Sequence, residues 1–172
     1  AERIKQSEKS RTFYEKALKI PAKNLEERKK QKEILSFLSD GDLQEKIQAE
    51  DWAGISKQIR SESQSGLRPL NQKNFDLLVY AETQQKNWSG VLSAFELKKS
   101  RDPSSVNTLT ALLIQAEAAE KLNEPMRART FYRKALKVAP RNQEERRRQQ
   151  EIEKFLSEEQ LQKKIENQDW QG

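Results

Sequence analysis

Residues 129–172, RTFYRKALKVAPRNQEERRRQQEIEKFLSEEQLQKKIENQDWQG, repeat residues 11–54, RTFYEKALKIPAKNLEERKKQKEILSFLSDGDLQEKIQAEDWAG. There is no gap, the offset is 118 residues, and 25 of the 44 positions are identical. Most other pairs exchange like for like, as Ile20 with Val138 and Lys29 with Arg147. The match runs back to AERI at Ala1–Ile4 against AEKL at Ala119–Leu122. The chain therefore reads as residues 1–54, a middle of 55–118, and 119–172 as the block again. A block stated twice without a gap points to a repeat architecture, in which each unit buries its apolar face against its neighbours.

Composition narrows which repeat. Of the 172 residues 34% are hydrophobic and 35% charged, with a mean hydropathy of −1.05. That is lean for a spherical core and suits either disorder or a thin helical core with wide polar flanks. Periodicity decides for the helices. In SRTFYEKALKI, Phe13, Tyr14, Ala17, Leu18 and Ile20 share one helical face, and Pro21 ends it. Asn24 and Glu27 form a capping-box pattern that Asn142 and Glu145 reproduce. The next helix is polar until Ile34, Phe37 and Leu38. Ser39-Asp40-Gly41-Asp42 is expected to interrupt it, as is Ser157-Glu158-Glu159-Gln160 in the second copy, with a short helix following to about Ala49.

Asp51-Trp52-Ala53-Gly54 recurs in form as Asn87-Trp88-Ser89-Gly90 and Asp169-Trp170-Gln171-Gly172. All three tryptophans of the chain stand in this pattern, so it reads as structural: an Asp or Asn cap opening a helix, and a ring folding across the turn. The glycine reads as a place where paired helices come close. Residues 61–72, SESQSGLRPLNQ, read as the longest polar connection. Beyond it Phe75, Leu78 and Val79, then Val91, Leu92 and Phe95, then Leu109, Leu112, Leu113, Ala116 and Ala119 mark further helices. SRDPSS breaks the chain between the last two, and Pro125 suits a first helical position.

Turn to turn, these helix pairs are slightly longer than 34 residues. The segment Leu109–Pro140 resembles a tetratricopeptide repeat, with Ala128, Tyr132, Ala135 and Pro140 on the signature positions of its second helix. Val91, Phe95 and Pro103 match in the unit before, with Phe75 and Leu78 in its first helix. Gln115 and Lys98 depart from the pattern. The implied fold is all-α, an α-solenoid: a right-handed superhelix of hairpins running through residues 1–172 with unshielded ends that leave room for self-association. A second family, the half-a-tetratricopeptide repeats of RNA-processing scaffolds, is similar in RARTFYRKAL but places tryptophan in its first helices, not in turns.

Without His or Cys, imidazole and thiolate chemistry are excluded, and the 27 carboxylates are interleaved with 33 basic residues on polar faces. There is no phosphate loop or metal-ligand spacing, so neither an enzyme nor a cofactor is expected. RKKQK and RRR lose most of their charge to neighbouring glutamates, as in the i,i+4 pairs of Glu26 with Lys30 and Glu144 with Arg148, and the aromatics fall at core-like positions. Nucleic acid is therefore not the expected partner. No apolar run is long enough for a membrane span. A cytoplasmic setting is the expectation. Export stays open, since the chain starts without Met inside a repeat and reads as an excised fragment.

What the resemblance implies is a protein–protein scaffold whose first helices line a groove. On that frame Lys73, Asp76, Leu77, Tyr80, Thr83 and Gln84 face the groove in one unit, and Thr110, Leu113, Ile114, Glu117 and Glu120 in the next. Leu113 and Glu117 stand where chaperone-binding members carry a carboxylate clamp, which argues against that role. The alternative is an RNA-associated helical scaffold.

Overall fold

Helical periodicity is realised along the chain. The computed structural model describes residues 11–12, 14–22 and 24–169, with side chains as far as residue 158, and every regular element among the described residues is a helix. α1 is described at residues 11–12 and 14–18. There follow α2 (Leu25–Gln48), α3 (Trp52–Gln64), α4 (Gln72–Gln84), α5 (Trp88–Lys99), a 3-10 turn (Ser105–Asn107), α6 (Leu109–Lys121), α7 (Pro125–Ala135) and α8 (Gln143–Asp169). The chain divides into two compact units, Ala1–Gln85 and Lys86–Gly172. In the first, α3 packs on α2 and α4; in the second, α6 packs on α5 and α7, and α8 on α7.

The caps are those the sequence marks. Asn24 Oδ1 accepts from the Glu27 N–H at 2.8 Å, and Asn142 Oδ1 from Glu145 N–H at 2.8 Å. Asn71 and Thr108 do the same for α4 and α6, and Pro125 opens α7. Each such side chain satisfies one of the amide donors that a helix start leaves unpaired, which is typically worth about 1 kcal/mol.

Three inter-helix turns share one backbone device. Glu50, Lys86 and Asn123 are left-handed, at φ 53, 54 and 56°. After α2 the Glu50 N–H bonds Ile47 O at 3.2 Å and the Asp51 N–H bonds Lys46 O at 2.9 Å. After α6 the Asn123 N–H bonds Glu120 O and the Glu124 N–H bonds Ala119 O, both at 2.9 Å. These are Schellman closures in which the last residue already caps the next helix, so the chain reverses in three residues. Asp51 Oδ1 then accepts from Gly54 N–H at 2.8 Å, and Asn87 Oδ1 from Gly90 N–H at 3.1 Å. A Cβ on Gly54 would lie 2.0 Å from Asp51 Oδ2. Glycine is thus required by the cap carboxylate lying over it, and not by a neighbouring helix. Trp170 and Gly172, the third occurrence, lie outside the described residues.

The expected break at Ser39–Asp42 does not occur. α2 runs 24 residues through it, and α8 runs 27 through Ser157–Gln160. The reason is tertiary. Ser39 Oγ donates to Glu62 Oε1 at 2.6 Å, while Arg68 donates to Ser39 Oγ at 2.6 Å, to Glu62 Oε2 at 2.7 Å and to Asp40 Oδ1 at 2.8 Å. Arg11 holds Asp42 at 2.7 Å. Side chains that would otherwise bond their own backbone and end the helix are bonded elsewhere. Burial pushes the Glu62 carboxyl up, but the bonds from Ser39, Arg68 and Gln58 outweigh it and hold its pKa below the usual range. The following connection is also shorter than the sequence implies, because α3 continues to Gln64.

Each unit has its own thin core. Ile55, Ile59, Phe75 and Leu78 are buried in the first, Val91, Phe95, Leu109, Leu112 and Ala116 in the second. Each large side chain contributes roughly 1.5–3 kcal/mol by leaving water. Glu82 is buried among them at 2% exposure, bonded by Ser56 Oγ at 2.5 Å and Arg60 Nη2 at 2.7 Å. A buried carboxylate needs such partners. Ile20 and Phe37, expected inward, are each 64% exposed.

Candidate docking site

In the second unit, the helices that bury Leu109, Leu112, Ala135 and Ile152 together leave an open cleft on their other side. Thr108 fixes the start of α6, and burying Leu109 and Leu112 turns Leu113 and Glu120 to the opposite edge at helical spacing. α7 presents alanines to the core, Ala128 and Ala135, and these let it approach closely while Tyr132 reaches the cleft from its flank. α8 supplies Arg148, Glu151, Ile152 and Phe155. With Leu113, Glu120 and Tyr132 these residues enclose a volume of 470 Å³.

Its floor is apolar, Leu113 and Ile152, and its walls are two aromatic rings. Tyr132 and Phe155 meet edge-on at 5.8 Å and 64°. The Tyr132 hydroxyl donates to Glu120 Oε1 at 3.0 Å. Burial, that bond and the charges of Glu120 and Glu117 push the phenol up to about 12. Arg148 is held by Glu144 at 3.2 Å and Glu151 by Arg147 at 3.4 Å. The charge this rim adds is therefore the acid of Glu120, with Glu117 exposed nearby. The site can take one large apolar side chain and favours basic groups beside it.

Of the groove residues named from sequence, Leu113 and Glu120 line this cleft, while Thr110 and Glu117 are exposed on α6 and Ile114 is half-buried. Lys73, Asp76, Tyr80 and Gln84 form an exposed face of α4 in the first unit, with Leu77 and Thr83 half-buried. Gln72 Nε2 bonds Asp76 Oδ1 at 2.7 Å, and Thr83 Oγ1 bonds Val79 O at 2.8 Å. Tyr80 is 51% exposed and packs edge-on against the half-buried Trp52, ring centroids 5.2 Å apart. Trp52 thus meets the following helix. It does not simply fold across its own turn.

Sequence reasoning missed Tyr132, Ile152 and Phe155 as site residues because aromatic and aliphatic positions read as core. Yet Phe155, Phe37 and Tyr80 are 46%, 64% and 51% exposed. The signal was the repetition itself: Tyr14 and Phe37 make the same edge contact, at 5.6 Å and 67°. No described helix is long and apolar enough to cross a membrane. No protein-family model matches the chain, nor does any curated protein or any solved structure.

Proposed function

We propose that the chain is part of a tetratricopeptide-like α-solenoid, acting as a non-catalytic protein–protein scaffold that holds a partner segment in the α6–α8 cleft. The observation that carries this reading is the exposed apolar floor with aromatic walls and an acidic rim. A water-facing surface of that kind is costly to keep unless something covers it, and it suits a large apolar anchor flanked by Lys or Arg. Three reversals of shared backbone form, with the duplicated block, support the solenoid part.

The test is selection of peptides from a random library against the whole protein, followed by titration of a selected peptide. Selected sequences should share one large apolar residue with basic neighbours, and Leu113→Asp or Phe155→Asp should weaken them by about tenfold or more. Selected peptides indifferent to both variants would overturn the reading. RNA binding that falls steeply with salt and ignores Leu113→Asp would replace it with the RNA-scaffold alternative.

A further inference from the structure

The duplication shows one surface in two states. In the second unit, the α7/α8 face is packed against α6: Leu109 and Leu112 lie in one cluster with Ala135 and Ile152, with Leu113, Tyr132 and Val138 against it. In the first unit the same face is built from the same residues. Tyr14 meets Phe37 edge-on as Tyr132 meets Phe155. Gln31 bonds Ile20 O at 2.6 Å as Gln149 bonds Val138 O at 2.7 Å.

Burial differs throughout. Ala135 and Ile152 are 0% and 7% exposed, whereas their counterparts Ala17 and Ile34 are half-buried. Phe37 is 64% exposed against 46% for Phe155, and Ile20 is 64% exposed where Val138 is half-buried. The backbone and its internal bonds are alike, so the missing burial measures the missing helix. The second unit also shows what fits: a helix with leucines at i, i+3 and i+4, alanine at i+7, and glutamates at i+8 and i+11, as Leu109, Leu112, Leu113, Ala116, Glu117 and Glu120 stand in α6. Lys29 and Lys30 stand on α2 where α8 has Arg147 and Arg148, so an acidic flank is complementary here too.

We propose that the α1/α2 face of the first unit is a docking site for an acidic amphipathic helix of a separate polypeptide carrying the α6 pattern. The site is distinct from the α6–α8 cleft and does not depend on that cleft's role. A helix seated on it would bury Ile34, Phe37 and Ile20 as α6 buries their counterparts.

The probe is a labelled synthetic peptide with the sequence of residues 105–122, titrated by fluorescence anisotropy into the whole protein. Saturable binding is expected. Phe37→Asp and, separately, Ile20→Lys should each weaken it by about tenfold or more. Phe155→Asp should leave it unchanged, and a peptide carrying Leu112→Asp and Leu113→Asp should not bind. Both variants alter exposed side chains, and circular dichroism with urea unfolding verifies that each folds. Absence of saturation up to about 1 mM peptide would overturn the proposal, as would equal loss in Phe155→Asp. So would a wild-type dimer in sedimentation velocity that Phe37→Asp dissolves, since the face would then be covered by a second copy of the chain.

Discussion

Gln149, on α8, donates its side-chain amide to two carbonyls at the end of α7, Val138 O at 2.7 Å and Ala135 O at 2.9 Å. Carbonyls at a helix end have no partner within the helix, and a buried one left unpaired costs about 1–3 kcal/mol. Gln149 is 8% exposed, so water cannot replace it. Gln31 makes the corresponding bond to Ile20 O but is half-buried. Gln149→Leu should therefore destabilise by about 1–3 kcal/mol, and Gln31→Leu by clearly less. Urea unfolding of both variants checks this; equal losses would mean the two copies do not differ in cover.

Local chemistry was legible because its causes are local. Asn24, Asn71, Asp51, Asn87 and Pro125 announce helix starts through their own side chains, and each does what its type dictates. Ser39–Asp42 was misread because the same chemistry was assumed to stay local. The partners that free the backbone there, Glu62, Arg68 and Arg11, lie 20 to 31 residues away in sequence. The cleft was half legible. Leu113 and Glu120 follow from helix phase, but Tyr132 and Phe155 need the packing of α7 on α8, which fixes which aromatic stays in water.

Asp51 and Gly54 should behave as one unit. Asp51→Ala removes the cap bond, and Gly54→Ala places a Cβ 2.0 Å from the carboxylate oxygen that makes it. Each should cost about 0.5–2 kcal/mol, the usual range for a lost cap. The double variant should cost little more than one of them, because the bond can be lost once. A double-mutant cycle by urea unfolding measures this coupling, and additive losses would contradict it.

The left-handed residues at the turns carry side chains where glycine would be unstrained. Glu50 and Lys86 are exposed, at φ 53 and 54°. A residue with a Cβ pays about 1–2 kcal/mol there, partly offset by the larger unfolded-state freedom of glycine. Glu50→Gly and Lys86→Gly should each stabilise by about 0.5–1 kcal/mol, raising the urea midpoint without changing the slope.

Tyr132 should titrate late, near the value of about 12 set by burial and by Glu120. Its folded pKa is raised, so the stability it contributes is fully present below the ordinary tyrosine value of about 10. That stability is lost as pH rises through the folded value. Phenolate absorbance against pH, with Tyr132→Phe to assign the transition, reads it directly. Glu120→Gln removes the acceptor charge and should move the transition down; an unmoved transition would show that burial acts alone.

Gly41 decides whether α2 is continuous in solution. It sits inside a 24-residue helix, and a Cβ added to it would meet nothing within 4 Å. Glycine in a helix interior is less favourable than alanine by about 0.5–1 kcal/mol, because more backbone freedom is lost on folding. Gly41→Ala should therefore stabilise the protein by about that amount, with no steric cost to offset it. If the chain instead turned at Ser39–Asp42, as the local sequence implies, Gly41 would serve a bend that alanine weakens, and the substitution would be neutral or destabilising. The second copy argues for continuity, since Glu159 holds this position in α8 and the helix passes through it. Gly41→Glu should then be tolerated, with helicity by circular dichroism unchanged or higher. A fall in helicity would place the break where the sequence first put it.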